Sequence, residues 1–403
     1  MYQLEEAIEV LTGHAAPVLE TETVSLMEAV GRVLAEDRQA KADQPPFSRS
    51  PLDGYAVRGA DTAGASGENP RCLRVIGAVF AGGVFEGAVG PGEAVRITTG
   101  APIPAGADAV VRQEDSDCGS DRGLELTKIY KETRAYENYC FQGEDYRAGD
   151  VLLKKGTLLT GSCIALLASL GESCAPVYRR PRIAVLTSGD EVLQPGESMQ
   201  PGKIYDSNLY FLCGRLKELG LKPASAGHVG DDAAAMAEQI RRTIPGADLV
   251  ITAGGVSVGA KDIMHETMRL LGAQVLFWRV QVRPGTPTLA ALFQGKLIIC
   301  LSGNPFAAAT NFELLVRPVL AVLTGNARMA MAVQTARLQN EYRKKAGVRR
   351  FLRGHAEGDR VWVAEGNHSS GALSSLPGCN CLIEILPEAA GAGLGAEVKI
   401  HLL

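Results

Sequence analysis

The sequence is poor in the residues that build many familiar catalytic and cofactor sites. Of its 403 residues, 5% are aromatic, two are tryptophan and six are histidine. His265-Glu266 lacks the second histidine of the H-E-x-x-H zinc motif. The six histidines are scattered and predict no catalytic triad.

A charge of one sign and long apolar runs are also lacking. Lysine and arginine number 41 against 45 aspartate and glutamate residues, so the net charge is −4, which argues against a nucleic-acid or anionic-membrane binder. No stretch approaches 18 consecutive apolar residues, and Met1–Val10 carries three glutamates without the apolar core of a secretion signal. We therefore expect a cytoplasmic protein that contacts neither nucleic acid nor membrane.

Nine cysteines are scattered along the chain and predict no disulfide framework, which fits a reducing compartment. Cys379 and Cys381 form a lone C-x-C, and we interpret them as strand residues rather than zinc ligands. A basic cluster is interpreted as a solvated hairpin edge rather than a nucleic-acid site. Its members are Arg343, Lys344, Lys345, Arg349, Arg350 and Arg353.

The chain is instead rich in turn formers, with 46 glycines and 20 prolines, and its length allows two to four domains. Helical spacing over Val24–Ala35, where Ser25 and Glu28 resemble a capping box, predicts a helix. Short apolar runs over 70–155 predict a small β domain, and Gly161–Leu170 predicts a helix that Gly171 ends. Alternating residues past Gly325 predict a C-terminal β domain.

Residues after 181 follow a strand–loop–helix pattern typical of a doubly wound parallel sheet. The predicted strands are Ile183–Leu186, Asp248–Thr252 and Lys296–Leu301. The predicted helices are Asp206–Leu219, Asp232–Ile244, Asp262–Leu271 and Pro305–Leu323. Ligands of such sheets bind beyond the carboxyl ends of the strands, so loops 187–191, 253–262 and 302–306 should converge on one site.

Three groups of residues could carry chemistry at that site. The loop Thr252–Gly259 has glycines that permit positive φ and could hold an anion on its N–H groups, although a turn without ligand is the alternative. Nearby acids suit Mg²⁺, but each alone could be a helix cap or a surface charge: Asp190, Glu191, Asp206 and Asp262. Arg279 and Arg283, four residues apart, would share one strand face and clamp an oxyanion, unless both simply face solvent.

Six segments occur in an order that resembles a known family, and the resemblance spans essentially the whole chain. They are Ser50–Val57, Thr98–Pro104, Gly143–Asp145, Thr187–Glu191, Gly254–Gly259 with Asp262, and Ser302–Pro305. The family is that of the molybdopterin molybdenumtransferases, or MoeA family, which is related to the E domain of gephyrin.

The resemblance implies an α/β multidomain fold with four parts. These are a discontinuous helical linker domain (1–50 and 140–176), an inserted β domain (51–139), a doubly wound molybdopterin-binding domain (177–325) and a C-terminal β barrel (326–403). It also implies a homodimer in which the inserted domain of one subunit faces the α/β domain of the other. The implied reaction inserts molybdenum from molybdate, or tungsten from tungstate, into adenylylated molybdopterin with Mg²⁺ and releases AMP. A molybdopterin adenylyltransferase would then supply the substrate.

The resemblance also implies roles for individual residues. It implies catalysis by Asp53, Thr99, Asp145 and Glu191, with Glu191 and Asp262 as Mg²⁺ ligands. The implied substrate-binding residues are Gly254, Gly255, Ser257, Gly259, Ser302, Asn304, Pro305, Arg279, Arg283 and Ser375, together with one of Asp231 and Asp232, for which we take Asp232.

The chain departs from the family pattern at several of these positions. Leu52 replaces a methionine, Thr286 a lysine, Ser302 a proline and Cys140 an arginine, while arginine replaces lysine at 279 and 283. Two alternatives therefore stay open, a tungstate-preferring insertase and a pterin-binding scaffold without turnover. A nucleotide-hydrolysing domain over 182–325 is disfavoured by the N-terminal motifs.

Overall fold

The computed structural model describes residues 1–121, 123–256, 263–344, 347–389 and 391–403. The chain falls into two compact units. The larger unit comprises 1–35, 156–161 and 174–403, and the smaller unit comprises 36–155 and 162–173.

The N-terminal segment of the larger unit contains one helix and one strand. Helix α1 (Leu4–Gly13) buries Leu4, Ala7 and Leu11 in the main core. Strand β1 (Thr21–Ser25) pairs antiparallel with β10 (Cys174–Tyr178). The helix predicted over Val24–Ala35 is therefore wrong. Only its first two residues belong to β1, residues 26–31 form turns, and Val33 and Leu34 bridge to Leu158 and Val177, so pairing with distant residues replaces the local helical pattern. Ser25 and Glu28 do bond, through Ser25 Oγ at 2.8 Å, but they close a turn.

The smaller unit is built around a six-stranded sheet, as the turn-rich pattern over 70–155 predicts. Its strand order is β6-β3-β5-β4-β8-β7, and β3 is buried along its whole length. A short antiparallel pair, β2 with β9, and helix α2 complete the unit, and Gly171 ends α2 with φ +78° as predicted. The elements are β2 (Arg38–Gln39), β3 (Gly54–Val57), β4 (Arg71–Val79), β5 (Glu93–Ile97), β6 (Ala109–Arg112), β7 (Ser116–Asp121), β8 (Leu124–Ile129), β9 (Val151–Leu153) and α2 (Gly161–Ser169).

The middle of the larger unit is a six-stranded sheet of order β14-β11-β15-β19-β18-β16. The first four strands are parallel, whereas β18 pairs antiparallel with both of its neighbours, β19 and the edge strand β16, which the sequence pattern did not predict. The elements are β11 (Ile183–Ser188), β12 (Val192–Leu193), β13 (Ile204–Tyr205), α3 (Ser207–Glu218), β14 (Pro223–Val229), α4 (Ala233–Thr243), β15 (Leu249–Ala253), α5 (Ile263–Leu271), β16 (Gln274–Trp278), β17 (Val282–Arg283), β18 (Leu289–Phe293), β19 (Lys296–Leu301), α6 (Pro305–Asn311) and α7 (Arg317–Thr324).

Helices cover both faces of this sheet, so it is doubly wound. Alternate strand residues such as Val185 and Ile251 join α1, α3, α6 and α7 in one core, while Leu186 and Val250 join α4 and α5 in the other. This alternation follows from the two-residue repeat of strand side chains. The architecture confirms the predicted fold class.

The segment 305–324 runs through α6, a π-helical turn at Phe312–Val316 and α7. It is long and apolar enough to cross a membrane by length and composition, but 83% of its apolar window is buried inside the protein. The search of the sequence for uninterrupted apolar runs missed this segment, because Glu313 and Arg317 interrupt it. These two residues form a buried ion pair at 3.0 Å, which fits a core helix.

The C-terminal part is a closed five-stranded β barrel, as the resemblance implies. Its strands are β20 (Val333–Leu338), β21 (Arg349–Glu357), β22 (Arg360–Val363), β23 (Cys381–Ile385) and β24 (Glu397–Leu402). The order β21-β22-β20-β24-β23 closes because β23 also pairs with β21. The short strand β17 pairs parallel with β21 and brings Arg283 opposite Arg350. None of the nine cysteines forms a disulfide. Cys381 lies in the barrel core as predicted, whereas Cys379 lies before β23, so its interpretation as a strand residue is wrong.

Candidate functional site

Three loops meet at the carboxyl ends of β11, β15 and β19. Gly254 has φ +103°, and a Cβ there would lie 2.4 Å from the carbonyl oxygen of Ser188. A Cβ on Gly303 would lie 3.4 Å from the Cα of Gly254. Only residues without side chains allow backbones to approach this closely. The predicted convergence of the three loops is confirmed for the described residues, and Ser257, Gly259 and Asp262 lie outside them.

Polar atoms without partners lie buried where the loops meet. Ser188 Oγ, Thr252 Oγ1 and Asn208 Oδ1 are buried and have no hydrogen-bond partner within the part of the chain that the structure describes. Asn208 is held in place by its Nδ2, which donates to the carbonyl of Gly303 at 2.8 Å. Buried polar groups are almost always satisfied in native proteins, so three such atoms at one strand edge indicate a ligand or ordered water.

Most of the acidic side chains near the carboxyl ends of the strands accept hydrogen bonds from backbone N–H groups. Asp206 caps α3 through the N–H of Leu209 at 2.9 Å and accepts the Thr187 hydroxyl at 2.5 Å. Asp232 caps α4 by accepting the N–H groups of Ala234 and Ala235. Over the described ranges, no three histidine, cysteine or acidic side chains lie together as a metal-binding group. Capping is therefore the structural role of Asp206 and Asp232.

Glu191 differs from those acids because it is exposed at the mouth of the sheet. Its carboxylate folds beside Gly189, where a Cβ would lie 3.0 Å from the carboxyl atoms. Neighbouring Asp190 accepts the N–H of Asp231 at 2.9 Å. Glu191 thus presents an oxygen ligand of the kind that Mg²⁺ prefers.

The predicted clamp of Arg279 and Arg283 is wrong. Strand β16 ends at Trp278, and Arg279 has φ +69°, so no continuous strand joins the two arginines. The Arg279 guanidinium instead stacks on the Trp278 ring at 4.1 Å. A left-handed residue interrupts the strand repeat, and the argument from spacing then fails.

Arg283 lines a cavity of about 560 Å³ between the sheet and the C-terminal barrel. Two further cations, Lys344 and Arg350, line the same cavity. Three serine hydroxyls join them, from Ser302, Ser369 and Ser370, together with Asn304 and Asn367. A cavity with three cations and several hydroxyls is suited to a compact oxyanion.

The turn after Arg283 forms one wall of this cavity and is fixed from below. Gly285 has φ +103°, and a Cβ there would lie 2.4 Å from Asn311 Oδ1. Asn311 is fully buried, and its Nδ2 donates to the carbonyl of Gly285 at 2.6 Å. Thr286, at the position where the family usually has lysine, donates its hydroxyl to the carbonyl of Val282 at 2.6 Å. Thr286 therefore stabilises the turn and supplies no cation.

The opposite wall, loop 367–372, is held by a buried arginine. Arg353 is fully buried, stacks on the Phe306 ring at 3.9 Å, and burial lowers the pKa of its guanidinium. It donates to the carbonyls of Ala372 at 2.6 Å, Asn367 at 2.9 Å and Ser369 at 3.3 Å. These bonds position the two serines of the loop.

The prediction of a solvated basic edge is wrong for its central members. Arg353 is buried, and Arg349 bonds both Glu384 and Glu5, because the barrel closes over this strand. Ser375, the C-terminal serine that the resemblance implies, is not among the residues that line the cavity. Ser375 Oγ donates to the carbonyl of Asn367 at 3.3 Å, whereas Ser369 and Ser370 line the wall.

Several cavity residues were not predicted from the sequence, namely Lys344, Arg350, Asn367, His368, Ser369 and Ser370. The one available signal was the basic cluster that includes Lys344 and Arg350. Its position gave no indication that it faces the 283–287 turn.

In the smaller unit, the structure brings Asp53 and Thr99 together. Both the N–H and the hydroxyl of Thr99 donate to Asp53 Oδ1, at 2.7 and 2.8 Å. These bonds, the backbone one first, lower the pKa of Asp53 below its usual range. The contact arises because antiparallel β3 and β5 align Gly54 with Ile97. Asp145 is exposed in a separate turn, where its N–H donates to the carbonyl of Gln44 at 2.9 Å.

Family models match three successive parts of the chain. They describe the MoeA N-terminal region, domains I and II (residues 2–171), a probable molybdopterin binding domain (184–322) and the MoeA C-terminal region, domain IV (335–403).

Individual relatives match nearly the whole length. A molybdopterin molybdenumtransferase of Bacillus subtilis is 37% identical over 95% of this chain and 90% of its own, and one of Staphylococcus aureus is 36% identical over 94% and 90%. The structure of a molybdopterin biosynthesis MoeA protein from Pyrococcus horikoshii matches all of both chains with a TM-score of 0.83 at 31% identity. The chain belongs to the MoeA family, the molybdopterin molybdenumtransferases that insert molybdenum during molybdenum cofactor biosynthesis.

Proposed function

We propose that this chain transfers molybdenum from molybdate into adenylylated molybdopterin in a Mg²⁺-dependent reaction that releases AMP. The observation that carries the proposal is the cavity lined by Arg283, Lys344 and Arg350 together with serine hydroxyls. Its donors match a tetrahedral oxyanion, and it lies beside Ser302 and Asn304 of the loop that meets Gly254.

Arg350 strengthens the case for an anion in this cavity. Its Nε is buried and finds no hydrogen-bond partner in the described ranges. A guanidinium nitrogen removed from water loses hydration that only an acceptor can replace. An oxyanion in the cavity would supply that acceptor.

The loops at the carboxyl ends of the sheet are the proposed position of the pterin and its diphosphate. Gly254 and Gly255 have positive φ, and Ser188 Oγ and Thr252 Oγ1 are donors without partners. Backbone N–H groups and hydroxyls in such an arrangement suit phosphate oxygens. The sheet edge and the cavity would then hold the two substrates side by side.

Glu191 fits the proposed Mg²⁺ site by its donor chemistry, because it is an exposed carboxylate at the mouth of the sheet. In this proposal Glu191 holds the ion together with Asp262, which lies outside the described residues. A bound Mg²⁺ would neutralise charge on the diphosphate oxygens. Arg283, Lys344 and Arg350 hold the molybdate, so the protein acts mainly by positioning and charge neutralisation.

The proposed chemical step is attack by a molybdate oxygen on the adenylyl phosphorus. The new oxygen–phosphorus bond forms as the bond from the adenylyl phosphorus to the bridging oxygen breaks, which leaves molybdopterin as its phosphate. The Mo–O bond to the attacking oxygen then breaks, so AMP leaves with that oxygen. The two thiols of molybdopterin bind the molybdenum, and their protons leave with a second molybdate oxygen as water, while the oxidation state of molybdenum does not change. Asp53, kept ionised by Thr99, would act from the smaller unit of the other subunit in a homodimer. A molybdopterin adenylyltransferase would supply the substrate in the cytoplasm.

The proposal is tested by AMP release. Purified protein, adenylylated molybdopterin and Mg²⁺ should yield AMP when molybdate is present and little when molybdate or Mg²⁺ is omitted. AMP no higher than in a control without protein contradicts the proposal.

A second candidate is a pterin-binding scaffold, which the bonding of Thr286 favours because that residue contributes no cation. Tight binding of adenylylated molybdopterin without Mg²⁺-dependent AMP release would support the scaffold. A third candidate, a tungstate-preferring insertase, is tested by competition between the two oxyanions in the same assay.

A further inference from the structure

His368 lies in the wall of the oxyanion cavity, next to Ser369. It also borders a second cavity of about 460 Å³ on the barrel side, which Tyr342 and Lys344 share. Its Nδ1 atom is buried and has no hydrogen-bond partner among the described residues. The proposed transfer step does not use this side chain, although it lies among the groups proposed to hold molybdate.

The backbone near the ring acts in the opposite direction to burial. The backbone of Ala364 favours the protonated form of the His368 ring. In the neutral ring only one of the two nitrogens carries a proton, whereas both carry one in the charged ring.

The surroundings of the ring are rich in positive charge. Burial lowers the pKa of His368 despite the Ala364 bond, and Arg353 and Lys344 lower it further. The ring is therefore neutral near pH 7 when no anion offsets these cations. The other charged groups that line the two cavities bordering the ring are Arg283 and Arg350 in the first, and Glu341, Arg343 and Glu365 in the second.

We propose that His368 makes oxyanion binding proton-coupled, so that the occupied cavity holds one more proton, shared between the His368 ring and an oxygen of the anion. The charged ring donates from both nitrogens, so it can hydrogen-bond to an anion through either of them. A bound dianion offsets Lys344 and Arg353, which reduces the cost of charging the ring.

This inference rests on the proposed function, because it needs an oxyanion in the cavity, and it adds a specificity residue to that site. Through His368 the cavity selects anions that can share a proton. A tetrahedral monoanion such as perrhenate, which is a much weaker base, would gain less from the same residue.

Calorimetric titration of the full chain with molybdate tests the inference. In two buffers of different ionisation enthalpy, over roughly pH 6.5 to 8, proton uptake should approach one per molybdate bound. Affinity should correspondingly fall, at most about tenfold per pH unit. The free molybdate dianion does not change its protonation in this range, so the proton must be taken up with the complex.

Two variants separate His368 from other titrating groups. His368→Asn carries an amide nitrogen near the Nδ1 position that cannot titrate, so proton uptake should disappear and the affinity should become independent of pH. His368→Gln serves the same purpose if the first variant does not fold. The matched control is His355→Gln, an exposed histidine on β21, which should keep the wild-type uptake.

The outcomes are distinguishable. Molybdate binding without proton uptake in the wild type, or uptake retained in His368→Asn, overturns the inference and leaves the proposed function standing. Absence of molybdate binding in the wild type overturns the inference together with the proposed oxyanion cavity.

Discussion

Single residues decide how closely the site can be assembled, and Gly254 is the clearest case. Its φ is +103°, and a Cβ at this position would lie only 2.4 Å from the Ser188 carbonyl oxygen, which leaves no room for alanine. Residues forced into such backbone conformations cost on the order of 1–3 kcal/mol. The glycine therefore lets β11 and β15 end against each other.

We expect Gly254→Ala to lower the free energy of unfolding by about 1–3 kcal/mol, since the backbone is strained and the loop must move. It should also weaken pterin binding. Urea denaturation followed by tryptophan fluorescence measures the first effect. Gly214→Ala is the matched control, because nothing lies within 4 Å of a Cβ there and the position is helical. The control should be neutral or stabilise by about 0.5–1 kcal/mol, and equal destabilisation by both changes would contradict this account.

At the scale of elements, loop 367–372 depends on a side chain from strand β21. Arg353 bonds three carbonyls of the loop and stacks on Phe306 of α6. One buried guanidinium therefore links the barrel, the loop and the helix. The loop in turn presents Asn367, His368, Ser369 and Ser370 to the cavity.

We expect Arg353→Met to destabilise the protein by roughly 2–4 kcal/mol, because three carbonyls lose a buried donor. Protease cleavage within 367–372 should also accelerate. Arg343→Met is the control, since Arg343 is 86% exposed and pairs only at the surface with Glu341, so its loss should cost less than about 0.5 kcal/mol. Unchanged cleavage in Arg353→Met would show that the arginine does not hold the loop.

The elements that the sequence predicts best are those with strong local signals. The helices that begin after Asp206 and Asp232 start where those caps predict, and strand Lys296–Leu301 has the predicted bounds. The predicted helix over Val24–Ala35 did not form, because both of its ends pair with distant parts of the chain, in β1 with β10 and at Val33 and Leu34 with Leu158 and Val177. The prediction that Arg279 and Arg283 share a strand face failed because Arg279 has a positive φ, which ends the strand. Nothing in the identity of an arginine predicts that conformation.

At the scale of the whole molecule, the oxyanion cavity forms only when the C-terminal barrel closes and packs against the α/β sheet. Arg283 comes from the α/β part, and Lys344, Arg350 and His368 come from the barrel. The pairing of β17 with β21 joins the two walls. Local spacing predicted the glycine loop, and the family resemblance singled out Asp53 and Thr99 without predicting their contact. They could not predict a cavity whose cations meet only after a five-stranded barrel has closed.

The departures from the family pattern are also best judged at this scale. Thr286 supplies no cation, yet Lys344 and Arg350 leave the cavity positively charged. The positive charge that a lysine would supply at position 286 is therefore replaced by the charges of Lys344 and Arg350. This balance favours an active insertase over a scaffold.

The most direct test of the central claim is the molybdate dependence of AMP release in a cavity variant. Arg350→Gln removes a cation whose buried Nε has no partner, whereas Arg343→Gln removes an exposed one. We expect Arg350→Gln to raise the KM for molybdate at least tenfold, as loss of about 1.4 kcal/mol or more from a charge-assisted contact implies, with little change in pterin affinity. Arg343→Gln should behave as the wild type. An unchanged molybdate KM in Arg350→Gln would contradict the assignment of this cavity to the oxyanion.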